Sequence, residues 1–119
     1  MRNLKTIYNE IGASFSDALG YLGTEGLVQK IAGMFVTEPS YAALTEALKN
    51  GDFDAAFRAV HTMKSSTKAL GLKALYDRVD HMTEMLRPGH EEQRIPADIE
   101  KVHQEIKAEY DKVIKAFTA

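Results

Sequence analysis

The sequence predicts an all-α protein: an antiparallel up-down four-helix bundle with an accessory N-terminal helix. Three observations carry this. Apolar residues recur at spacings of three and four along nearly the whole chain. No stretch alternates in the manner of a strand. The breaks fall at glycines and at prolines 39, 88 and 96, and they leave segments of bundle length joined by short turns. With 119 residues the chain fits a single domain over 1–119 and can bury a core without staples. Residues 1–22 are expected to form the accessory region and 24–117 the bundle.

Leu4, Ile7, Tyr8 and Ile11 mark a short first helix that stops near Gly12. Ser16 to Leu22 adds a turn or two before Gly23. Thr24 is placed to cap a helix from Glu25, with Leu27, Val28, Ile31, Met34 and Phe35 as its apolar stripe. After Pro39 a continuation carries Tyr41, Leu44, Ala47 and Leu48, and Asn50-Gly51 ends it. Asp52 caps the next helix, which runs through His61 to about Leu70 and stops at Gly71. Leu72, Leu75, Val79, Met82 and Leu86 define another, closed by Pro88-Gly89. Gly89 to Arg94 reads as a loop. Pro96 suits the first turn of the last helix, whose seam is Ile95, Ile99, Val102, Ile106, Val113 and Phe117.

Composition narrows function. There is no cysteine, hence no disulfide, thiolate nucleophile or Cys-bound metal. A formal net charge of -2 does not suit nucleic acid. No apolar run reaches the roughly 20 residues of a membrane span, and the N-terminus lacks the apolar core of a signal peptide. A cytoplasmic, monomeric protein is expected. The initiating Met1 leads us to expect a free-standing one.

His61 is the most informative residue. Phe53, Ala56, Val60, Met63, Thr67 and Leu70 form the buried stripe of its helix, and a 100° advance per residue puts His61 on the outer side. Asp54, Arg58, Ser65 and Lys68 share that side, and Lys64 stands nearer the boundary. The run Ser65-Ser66-Thr67 is a poor choice for helix propensity, yet its small side chains leave the imidazole open to a bulky partner. An exposed, largely unprotonated imidazole is a competent nucleophile at neutral pH. A phosphoryl group on it needs charge compensation, which Lys64 and Lys68, one and two turns on, can supply. The alternative is a plain surface histidine.

Other chemistry fits less well. Glu100-x-x-His103 has the spacing of a di-iron half-site, but the second half is missing. We therefore expect Glu100 and His103 to be solvated helix residues, with no metal site. His81 and His90 suggest no role. Ser65 and Ser66 lack the oxyanion donors of a hydrolase, because mid-helix residues have no free backbone N–H groups.

The stretch His61-Thr62-Met63-Lys64-Ser65-Ser66, followed by Leu70-Gly71-Leu72 and Leu75, resembles the signature of histidine-containing phosphotransfer (HPt) domains. That family reads His-x-Leu-Lys-Gly-Ser, then Leu-Gly and a further Leu. Gly51-Asp52-Phe53, Phe35, Tyr41 and Leu44 also fall where the family carries similar residues, so the resemblance spans roughly 20 to 88. It implies a four-helix bundle whose exposed histidine takes a phosphoryl group from a receiver-domain aspartate and passes it to another receiver. It implies no kinase activity of the domain's own and no cofactor, since magnesium sits on the partner receiver. Partners are then response-regulator receiver domains, those of a hybrid histidine kinase included.

Carried over, His61 is the phosphoacceptor and Lys64 neutralises the phosphoryl charge. Two positions depart from the pattern. Ser65 replaces the glycine that gives a receiver room. Thr83 stands, by residue count, where the family places a Gln or Glu that orients the histidine; Glu84 or His81 could supply that bond instead. These departures keep a second reading open, a docking module that binds a receiver or other partner without phosphotransfer.

Overall fold

In a computed structural model, which describes residues 2–119, the chain is all-α, with helices α1 (Leu4–Ile11), α2 (Phe15–Leu22), α3 (Glu25–Thr37), α4 (Ser40–Lys49), α5 (Phe53–Ala69), α6 (Lys73–Leu86) and α7 (Pro96–Thr118). Met1, on which the expectation of a free-standing protein rests, lies outside the described residues. Local chemistry sets the boundaries. The side chains of Asn3, Ser14, Thr24 and Asp52 each accept from the backbone N–H three residues on, capping α1, α2, α3 and α5. The accessory region is therefore two helices, the second starting at Phe15 because Ser14 caps it. The 89–94 loop holds a single 3-10 turn, Glu91–Gln93.

The cross-helix contacts define the bundle. Phe35, Tyr41 and Thr45 meet Phe117, Tyr110 and His103 respectively, so α3 and α4 run in succession along α7 in the opposite direction. They form one rod interrupted at Glu38-Pro39, where the Glu38 carboxylate accepts from Ser40 N at 3.1 Å and Ser40 Oγ at 2.7 Å. Between α5 and α6, Lys64 meets Asp80 and Phe57 meets Arg87, again antiparallel. The rods α3–α4, α5, α6 and α7 thus make the four-helix bundle. Val60, Met63, Leu75, Val79, Met82, Leu86 and Ile106 fill its centre.

Three expectations about side-chain placement are corrected. Leu27 and Met34 are exposed, and α3 instead buries Val28, Ala32 and Phe35. The exposed pair each precede a buried residue by one position, a rotation of about 100°. Ile95 is exposed as well, since it is the extended N-cap of α7 and not part of its seam. His103 is buried, not solvated. Its Nε2 lies 3.2 Å from Thr45 Oγ1 and its ring stacks near Tyr41, while Glu100 stays at the surface 3.9 Å from Nδ1.

The accessory helices clamp the α5–α6 turn. Ser14 N–H donates to Gly71 O at 2.9 Å, and the buried Tyr8 hydroxyl donates to Leu70 O at 2.7 Å. Burial pushes the Tyr8 phenol well above its ordinary pKa, so it stays a donor across the physiological range. Tyr8→Phe should cost about 1–2 kcal/mol in urea unfolding, the penalty of an unpaired buried carbonyl. A change below about 0.3 kcal/mol would mean that the carbonyl finds another partner.

Candidate functional site

The turn that the N-terminal segment clamps also fixes the register of α5 against α6. Leu72 N–H reaches back to Thr67 O at 3.0 Å, closing α5 with the six-to-one bond of a Schellman end at Gly71. From there the two helices run back along each other, and their outer seam is a ladder of side chains. Tyr76 and Lys68 flank its lowest step, where Lys68 Nζ also lies 5.9 Å from the centroid of the Tyr21 ring of α2. One turn up, Lys64 Nζ is 2.8 Å from Asp80 Oδ1. At the top, the Arg87 guanidinium lies over the Phe57 ring.

His61 stands on this seam between Phe57 and Lys64. It is exposed, and its ring is tilted against Phe57 with centroids 5.7 Å apart. Val60, its neighbour in sequence, is fully buried, as are Met63 and Thr67. The hydroxyls of Thr62 and Ser66 fold back onto the carbonyls of Arg58 and Met63 and so satisfy themselves within the helix. Ser65 is exposed one turn from His61, with no hydrogen bond among the described residues, and Lys68 is exposed a further turn on.

Thr83 is not part of the site. It is fully buried and its hydroxyl donates to Val79 O at 2.7 Å, so it neither orients the imidazole nor faces a partner. The residue count across the turn is one position off the seam, which turns the side chain by about 100° into the core. Asp80, Glu84 and Arg87 (spacings four and three) form the α6 side of the seam. His81 also faces elsewhere, into a cleft with Met85, Ile95 and Val102 between α6 and α7.

Charge on the seam is largely paired. The hydrogen bond to Asp80, with further help from nearby Tyr76 and Glu84, raises the Lys64 ammonium above its ordinary pKa. Glu84 is bound by Arg87 through contacts of 2.7 and 3.0 Å, which hold its carboxyl below the usual range. Sequence reasoning placed His61, Ser65 and Lys68 on the outer side with Lys64 nearer the boundary; His61, Ser65 and Lys68 are exposed and Lys64 is half-buried. That reasoning missed Phe57, Asp80 and Arg87. Their signal was available: Phe57 lies four residues before His61, and an acidic residue and an arginine recur on α6 at the spacing of a single face.

Among the described residues no three His, Asp or Glu side chains gather in a way that could hold a metal ion, and no helix is long and apolar enough to cross a membrane. No curated protein and no solved structure matches the chain. A family model described as Hpt domain matches residues 38–116. The match begins within the Glu38-Pro39 break and takes in nearly all of α7, whereas the sequence resemblance started near residue 20 and stopped at 88. Helices α1, α2 and α3 lie outside it. An exposed histidine on a four-helix bundle, followed by a lysine and a Leu-Gly turn, agrees with that match, and the chain belongs to the Hpt domain family, whose members carry phosphoryl groups on histidine in phosphorelay signalling.

Proposed function

We propose that this protein carries a phosphoryl group on His61 from one receiver domain to another. One ring nitrogen attacks the phosphorus of a receiver aspartyl phosphate. The P–O bond to that aspartate breaks, the carboxylate leaves, and the other ring nitrogen gives its proton to water. The return step on a second receiver reverses these bonds. Lys64 neutralises the phosphoryl charge, and Lys68, with exposed Ser65, belongs to the surface a receiver covers. The chain needs no resident cofactor, magnesium being held by the receiver, and it acts as a cytoplasmic monomer without kinase activity.

The observation that carries this reading is the exposed imidazole beside a lysine on a helix whose opposite face is fully buried. Incubation with a phosphorylated receiver from the same cell should place acid-labile phosphate on the protein and none on His61→Gln. Phosphate that never appears, or that persists in His61→Gln, defeats the proposal. The second reading, docking without transfer, is favoured by Ser65 in the glycine position and by the engagement of Lys64 with Asp80. It predicts stable receiver binding with no phosphate on either protein form.

A further inference from the structure

Lys64 follows His61 by three residues, and helical side chains lean toward the N-terminus. Its ammonium would therefore lie over the turn that holds His61 if nothing drew it aside. Asp80 does so. The carboxylate reaches across from α6 to within 2.8 Å of Lys64 Nζ, and this is the one ion pair joining α5 to α6 among the described residues. The two side chains are 28% and 40% exposed, so the pair is weak enough to open. A phosphoryl group carries nearly two negative charges near neutral pH against the carboxylate's one.

We propose that Asp80 is a positioning residue that parks Lys64 on α6 while His61 is bare and yields it to the phosphoryl group once His61 is modified. Lys64 is then shared between two anions, and Asp80 sets how much of its charge reaches the phosphohistidine. Glu84, the other acid on this seam, is already held by Arg87 and competes less for Lys64. The inference rests on His61 as phosphoacceptor, and its test needs no receiver.

Potassium phosphoramidate supplies the phosphoryl group: its P–N bond breaks, ammonia leaves, and a new P–N bond forms to the imidazole. The 31P signal lost in His61→Gln is that of His61, and the midpoint of its shift against pH reports the proton affinity of the phosphohistidine at its free ring nitrogen, which a nearby ammonium lowers. Asp80→Asn should release Lys64 to the phosphoryl group and lower that proton affinity about two- to fivefold, the range of a half-exposed ion pair. In a Lys64→Ala background the same change should have less than half that effect. An unchanged signal in Asp80→Asn overturns the inference while leaving the phosphoacceptor in place. So does a full effect that survives Lys64→Ala, because Asp80 then acts by direct repulsion. A rise in proton affinity also overturns it, since Asp80 would then be aiming Lys64 at the phosphate. Absence of any His61 signal removes the phosphoacceptor and the inference together.

Discussion

Gly71→Ala is expected to lower the stability of this protein by about 2–5 kcal/mol, from two independent costs. Gly71 has φ 65°, a left-handed conformation that an L side chain adopts only under strain of about 1–3 kcal/mol. A Cβ there would also overlap the backbone carbonyl of Ser14 and crowd Ala18 N. Neither neighbour can rotate away, as both are main chain. The N-terminal segment must therefore move off the turn, weakening the bonds from Ser14 to Gly71 and from Tyr8 to Leu70. Urea unfolding and hydrogen exchange in α1 and α2 read this directly. Gly26→Ala and Gly33→Ala make the contrast. Both glycines are helical, and an added Cβ meets nothing within 4 Å. Each should gain about 0.5–1 kcal/mol. A loss below 1 kcal/mol in Gly71→Ala would show that the clamp is dispensable.

Val60→Asp should unfold the protein or leave it marginal, with a loss of about 3–5 kcal/mol out of a total that for domains is about 5–15. Val60 is fully buried at the centre of α5, in the same core cluster as Met63, Val79, Met82 and Leu86. An unpaired carboxylate there either stays ionised at high cost or takes up a proton, and the protein then gains stability as pH falls. One residue on, His61→Gln should stay within about 0.5 kcal/mol, because His61 is exposed and makes no hydrogen bond or ion pair among the described residues. Circular dichroism with urea titration compares the two. Equal losses would mean that the buried face of α5 is misassigned.

The contrast between residues 60 and 61 also shows how far local periodicity reaches. Helix existence, the caps at Thr24 and Asp52, the stop at Gly71 and the orientation of His61 follow from spacing within one segment. A helix turns by a fixed angle per residue, so one apolar stripe orients every other side chain on it. That reasoning failed on α3. Its five apolar candidates span more of the helix than the narrow face that meets its neighbours, and Leu27 and Met34 were left outside.

Local periodicity sufficed for the helices, for the inward face of α5 and for the outward placement of His61, Ser65 and Lys68 with Lys64 at the boundary, because a helix turns by a fixed angle per residue. Tertiary structure decided what each of them meets. Glu84 rather than Thr83 lines the seam, Asp80 holds Lys64, His103 is buried against Thr45, and two accessory helices close over the Leu-Gly turn. These outcomes depend on the register between helices. An error of one position there turns a side chain by about 100°, from the seam into the core.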